Sequence, residues 1–324
     1  MEQQTQGSTK PITWEELLEL YCLGKRVKRV TRSNYLNAIN CFKRYHPNVL
    51  PQQVTHNMLL HWRVSVLDTD PAPLKPASWN CYSYALRYIF EYGKEVDVLT
   101  FEKNPFRRLK VRVPEEQIKV LSANDIIAYR TYLDAQEMQE RLGKYGAFYP
   151  AWFYRCLFET FYHTGMRQHQ LIHLTADDID LKRELIHFRS EISKNSRAYT
   201  IPIAQDLLPY LRLMLHQSQY AGIQRHEQLY NLNRYRKRYT APDKRMEKGQ
   251  VHSFFYRLSK LVLHKATSHA FRHTIGTNLM QQPERNLFLT KELLGHKNLR
   301  STLKYLTPDL EQMRVLLNNR KINY

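Results

Sequence analysis

Four short stretches of this chain hold side chains suited to chemistry on an anion. SHAFRHT (268–274) sets His269 and His273 four residues apart with Arg272 between them. On a helix that spacing brings both imidazoles to one face, as for two ligands of one metal ion. A zinc hydrolase of the H-E-x-x-H kind needs a Glu after the first His as general base. Here that position is Ala270, and Arg272 would sit one residue from a ligand. His296, 23 residues after His273, is a conceivable third ligand. The plain alternative is a structural pair of histidines. YHTGMRQHQL (162–171) places Arg167 just after a Thr-Gly turn, and SEISKNSRAYTIPI (190–203) places Lys194 in a polar turn. ELLGHKNLRSTLKYLTP (292–308) places His296 after a glycine and Tyr305 nine residues later. Singly, each has a bland reading: a surface charge, a turn lysine, a helix cap, a packed ring.

Several elements must position these residues. Thr13-x-x-Glu16 is a capping-box pattern, followed by Trp14, Leu17, Leu18 and Tyr21 on one helical face. Helices follow over 31–45, 55–67 and 77–93, with a loop at 68–76. Residues 1–12 read as a disordered lead and 13–101 as an all-helical domain without strands. Residues 102–120 read as a linker, where Pro105 and Pro114 bracket Arg107, Arg108, Lys110 and Arg112. The residue before a proline disfavours helix, and the basic run suits tracking phosphates. Ser122-x-x-Asp125 starts a new helix and opens a mixed domain over 121–324. There the stretch 150–165 is a helix stopped by Gly165. ELIHF and AYTIPI alternate as half-buried strands of a hairpin with Lys194 near its tip, and helices return from about 205. Residues 225–248 are dense in charge; Arg236, Lys237 and Arg238 are DNA-contact candidates there, against a solvated basic loop. The fold class is therefore mainly α with a small β-sheet, an α+β domain behind an all-helical one.

Composition limits the substrate. The 324 residues are too many for one ordinary domain. Lys and Arg number 49 against 30 Asp and Glu, a formal +19. A field of that size attracts DNA, RNA or acidic membrane. Cys22, Cys41, Cys81 and Cys156 form no C-x-x-C, which argues against a zinc finger or a disulfide framework and fits a reducing cytosol. The polar N-terminus lacks the apolar core of a signal peptide, and no stretch approaches 18 uninterrupted apolar residues. Nucleic acid is the partner class that remains.

Taken together, T-G-M-R, a Lys before an "x-I-P-I" strand, H-A-F-R-H-T, and L-G-H with a Tyr nine residues on resemble the tyrosine recombinases, the integrase family, in order and spacing. The match runs over about 165–308 and is only architectural over 13–110; NPFRRLKV looks like the family's interdomain linker. The resemblance implies a two-domain, C-shaped clamp on duplex DNA, with a helical core-binding (SAM-like) domain and a catalytic domain. It implies Tyr305 as nucleophile, and Arg167 and Arg272 on the non-bridging oxygens of the scissile phosphate. His269 and His296 would hydrogen-bond that phosphate, Lys194 would protonate the leaving 5′ oxygen, and His273 would be supporting. These residue types suit phosphoryl chemistry. Guanidinium forks answer the charge of the equatorial oxygens bidentately, and a phenol of pKa near 10 needs help losing its proton. A phosphotyrosyl intermediate stores the bond energy, so neither ATP, metal nor cofactor is needed. The family usually has an acid three residues after the first Arg; here Gln170 stands there.

The resulting expectation is a site-specific recombinase that integrates, excises or resolves a mobile element. It would act as a dimer on each site and a tetramer in the synapse, with accessory DNA-bending proteins as a further partner class, in a bacterial or phage-derived cytoplasmic setting on the nucleoid. About a dozen residues precede the first helix, which favours a two-domain architecture without an arm-binding domain. Leu310, Met313, Leu316 and Leu317 give the tail an apolar face, which in the family packs on a neighbouring subunit. A type IB topoisomerase, a telomere resolvase, or a non-catalytic DNA-binding protein that keeps the fold are the competing readings.

Overall fold

A computed structural model of the protein describes residues 11–115, 118–193, 197–236, 244–262, 265–282, 284–306 and 310–319. The chain divides into two compact units, Met1–Glu116 and Gln117–Tyr324.

The first unit holds α1 (Trp14–Gly24), α2 (Arg29–Tyr45), α3 (His56–Leu67) and α4 (Pro76–Glu95), with no strand among its described residues. The expected capping box forms at α1. Thr13 Oγ1 accepts from Glu16 N at 3.2 Å, and the Glu16 carboxylate accepts from Thr13 N at 2.8 Å. Behind it Trp14, Leu17 and Leu18 are buried. The core is aromatic, with Trp62 and Trp79 edge to face at 4.8 Å. Part of the stretch read as a linker belongs to this unit. Phe106 and Leu109 are buried in its core, Trp79 Nε1 donates to Leu109 O at 2.8 Å, and Asn80 exchanges two 2.9 Å bonds with the Val111 backbone. An indole and an amide buried in α4 need partners, and the returning backbone supplies them. Arg108, Lys110 and Arg112 are left exposed, while Arg107 is half-buried.

The second unit begins with α5 (Ala123–Arg141) and the central α6 (Ala151–Thr164). Glu159 of α6 is buried to 0 % exposure. Two bonds from Arg130 of α5, at 2.9 and 2.7 Å, hold it. Burial pushes this carboxyl up, but hydrogen bonds from His163 and Arg130 outweigh it, so the pKa is lowered and the charge persists. Arg155 Nε stands 3.0 Å from the same carboxylate, so the charge is shared among several partners rather than resting on one. Next come α7 (Gln168–Leu171) and a three-stranded antiparallel sheet, β1 (Ile179–Asp180), β2 (Leu185–Phe188) and β3 (Tyr199–Pro202), in the order β1-β2-β3. The expected hairpin is β2–β3, with Ile186 opposite Ile201 and Phe188 opposite Tyr199. These inward residues alternate with His187 and Thr200, the period-2 signal that made the strands legible. β1 was not foreseen; two residues carry no period.

The unit closes with α8 (Leu208–Tyr220), α9 (Leu232–Tyr235), α10 (Lys248–Leu258), α11 (Ser268–Gln281), α12 (Leu287–Leu293), α13 (Arg300–Leu303) and α14 (Leu310–Asn318). Tyr305, expected at the start of the last helical stretch, instead lies in the turn after α13, where its N–H donates to Thr302 O at 3.0 Å. On α14 the side chains of Met313 and Leu317 are exposed. No helix among the described residues is long and apolar enough to cross a membrane.

Candidate active site

Three local chain devices converge on one pocket of side chains. The first is T-G-M-R. Helix α6 ends at Gly165 in the left-handed conformation (φ 57°), where its N–H closes on Phe161 O at 3.0 Å. Met166 is then buried at 1 % exposure and pins the turn. Arg167 follows as the N-cap of α7, half-buried, and its Nη1 is buried without a hydrogen-bond partner. An unpaired buried donor is costly and rare. A guanidinium N–H left this way can donate to an anionic oxygen.

The second device is α11. Thr267 Oγ1 caps it by accepting from Ala270 N at 3.0 Å. Arg272 points inward and is 4 % exposed. Its Nη1 donates to Gly165 O at 3.0 Å and its Nη2 to Leu294 O, so carbonyls at two helix ends fix the fork. Burial, then the nearby Arg167 charge, pull its pKa down to about 10, which leaves it a cation at neutral pH. His269 is exposed, with its ring 6.3 Å from that of His273. Among the described residues no third His, Cys, Asp or Glu joins these two in a metal-sized group.

The third device is L-G-H. Leu294 ends α12, Gly295 is left-handed (φ 57°), its N–H bonds Glu292 O at 2.9 Å, and His296 N bonds Lys291 O at 3.0 Å. This is the Schellman pattern, which fixes the residue after the glycine. His296 is 6 % exposed, and its Nδ1 pairs with Thr302 Oγ1 at 2.8 Å. Burial, then Arg272 and Arg167, push its pKa down to about 3.

Tyr305 sits among all three at 1 % exposure. Its hydroxyl lies 3.2 Å from His273 Nδ1, and the His296 ring stacks beside it at 6.1 Å and 17°. Gly276 makes room: a Cβ there would stand 2.7–2.9 Å from the tyrosine ring. Burial raises the Tyr305 pKa above the ordinary phenol value, against the pull of Arg272 and Arg167. Lys304 Nζ rests 5.0 Å from the ring centroid. Burial, then Arg272 and Arg167, lower its pKa.

Gln170, where the family carries an acid, is fully buried. Its Oε1 accepts from Arg167 N at 2.9 Å, and its Nε2 donates to Tyr199 Oη at 2.8 Å. An amide serves both partners at once, which explains how a neutral residue fits. So of the residues expected in the site, Arg167, Gln170, Arg272, His273, His296 and Tyr305 come together, and His269 stands at the exposed edge. Lys194, Lys237 and Arg238 lie outside the described residues. Arg236 Nε donates to Tyr149 O at 3.1 Å and Nη2 to Tyr154 Oη at 3.0 Å, so those donors are engaged within the unit. Sequence reasoning missed Tyr199, Gly276, Thr302 and Lys304. A glycine inside a helical pattern was the one usable signal.

The model of the phage integrase family matches residues 132–312. A protein of Pseudomonas aeruginosa, provisionally named tyrosine recombinase XerC, is 35% identical over 314 residues, spanning 96% of this chain and 72% of that one. This chain belongs to the phage integrase family of tyrosine recombinases. Solved family members share the fold at low identity. The Tn1549 transposon integrase in complex with a circular intermediate DNA aligns at TM-score 0.68 and 18% identity, over 94% of this chain and 99% of that one. A lambda integrase dimer bound to a core site aligns at TM-score 0.66 and 18% identity, over 92% and 78%.

Proposed function

We propose that this recombinase-family protein cleaves and rejoins duplex DNA at a specific site through a 3′-phosphotyrosyl intermediate, exchanging strands between two duplexes. The observation that carries this reading is the buried, unpartnered Arg167 Nη1 beside the anchored Arg272 fork and the hydroxyl of Tyr305. Arg167 and Arg272 bind the non-bridging oxygens of the scissile phosphate and answer the charge gathering there. Removing one such electrostatic donor typically costs about 10²–10³ in rate. Tyr305 attacks phosphorus, and the leaving 5′ oxygen takes a proton from Lys194. His296, neutral at physiological pH and held by Thr302, and His269 donate hydrogen bonds to the phosphate. Gln170 holds Arg167 by its backbone rather than by charge.

The partner is duplex DNA, in keeping with the +19 formal charge and with the DNA-bound state of the transposon and lambda enzymes. Both units engage one duplex, with Arg108, Lys110 and Arg112 following phosphates. A dimer on each site and a tetramer in the synapse, joined through the exposed face of α14, complete the proposal.

Strand exchange tests it. DNA fragments captured covalently by the protein supply the site, which is then placed on two labelled duplexes. The proposal expects reciprocal joint products without ATP, and an affinity falling steeply with salt as phosphates release counterions. Relaxation of a supercoiled plasmid without exchange would instead assign a type IB topoisomerase, and hairpin ends a telomere resolvase.

A further inference from the structure

Resting on the reading of Tyr305 as nucleophile, we propose that His273 is the base that receives the Tyr305 proton during strand cleavage, a catalytic residue rather than a supporting one. Among the described residues, two groups bond the Tyr305 hydroxyl. One is the Arg272 guanidinium, which has donors only and cannot take a proton. The other is His273 Nδ1, at 3.2 Å. Of the two, only the imidazole offers a lone pair, and the distance is within reach of a general base. His296 stacks beside the ring, but its Nδ1 is held by Thr302 Oγ1 at 2.8 Å.

The geometry is fixed from both sides. His273 and Gly276 are one turn apart on α11, so the same helical face supplies the base and the gap that admits the tyrosine ring. Among the described residues, the groups facing His273 are Tyr305, His296, Lys304, His269 and Arg272. Burial and the last three lower its pKa to about 4. At neutral pH the imidazole is therefore uncharged and can accept at Nδ1 with its proton on Nε2. So weak a base does not ionise the phenol at rest. It takes the proton only as the oxygen–phosphorus bond forms, when the DNA phosphate opposes the surrounding cations and strengthens it. In the cleavage step Oη–H breaks and Nδ1–H forms, Oη–P forms and P–O5′ breaks, and O5′ takes the proton of Lys194. Rejoining runs the same transfers in reverse, with Nδ1–H returning its proton to the departing Tyr305 oxygen.

The test uses single-turnover cleavage of a nicked site by the full chain, with wild type and His273→Asn. The amide of Asn stands near the Nδ1 position and can hydrogen-bond, but it is not a base. The expected result is cleavage slowed about 10²-fold in His273→Asn with DNA affinity unchanged. Replacing Tyr305 by 3,5-difluorotyrosine, a more acidic phenol, then recovers at least about tenfold in His273→Asn while changing wild type by less than about threefold, because an acidic nucleophile needs less help from a base. His273→Gln is the second variant should the Asn protein fail to fold. Cleavage by His273→Asn at the wild-type rate overturns the inference. So does a slow variant that the acidic tyrosine leaves equally slow, which would mark a purely positioning role. Absence of cleavage by wild type itself overturns the reading of Tyr305, and this inference with it.

Discussion

Gly276→Ala is the substitution whose effect the structure states most sharply. The added Cβ would stand 2.7, 2.8 and 2.9 Å from Cε2, Cδ2 and Cζ of Tyr305. The ring must retreat by about 0.7 Å to reach the 3.4 Å of ordinary contact. It is already held by the 3.2 Å bond to His273 and the stacked His296, so retreat weakens that bond and displaces the hydroxyl from its line of attack. A misplacement of about 1 Å commonly costs about 10² in rate, so the expected loss is roughly 30–100-fold. Stability moves differently. Alanine in a helix interior is better than glycine by about 1 kcal/mol, which opposes the contact strain and keeps Tm within about 4 °C of wild type. Single-turnover cleavage of a nicked site, run beside thermal unfolding, separates the two effects. Wild-type cleavage rates in Gly276→Ala would refute the placement of Tyr305 against α11.

Further expectations follow from the same geometry. Arg167→Ala should lower cleavage by about 10²–10³ with little change in unfolding, since Nη1 has no protein partner to lose; a loss of under fivefold in a quench-flow assay would contradict its role. Gln170→Glu keeps an acceptor for Arg167 N and lets the Tyr199 hydroxyl donate, so activity should stay within about threefold, whereas Gln170→Leu removes the partner of both part-buried groups, at about 1 kcal/mol each, and should lower both Tm and cleavage. His296 and His273 titrate near 3 and 4 when folded but near 6.5 when unfolded, so the unfolded chain binds more protons between those values and stability, full above about pH 6.5, falls as pH drops through that window. Tm measured from pH 7.5 down to about 4.5 should show a shallower decline in His296→Asn than in wild type; equal slopes would contradict a buried neutral His296.

Much of the site was legible because its anchors are local. A left-handed glycine ending α6 and another ending α12 are decided within five or six residues, so the turns before Arg167 and His296 can be read from spacing, while the grouping of these residues in one site rested on the resemblance to the family. Tertiary partners were not. Nothing in SHAFRHT says that Tyr305, 32 residues on, will sit over His273, so that histidine read as supporting. Gln170 read as a departure from the acid, yet Tyr199 on β3 is what makes an amide fit. The stretch 102–111 read as linker because its prolines and charges are visible in sequence, while the demand of Trp79 and Asn80 for backbone partners is visible only once α4 is buried.

The central claim is that Tyr305 attacks a phosphate held by Arg167 and Arg272. Its most direct test is covalent trapping on nicked DNA carrying the protein's own site. Wild type should form a protease-resistant 3′-phosphotyrosyl adduct that maps to Tyr305, and Tyr305→Phe should bind the same DNA and form none. A wild-type protein that binds the site yet leaves its phosphodiester intact, or an adduct mapping to another residue, would contradict the claim.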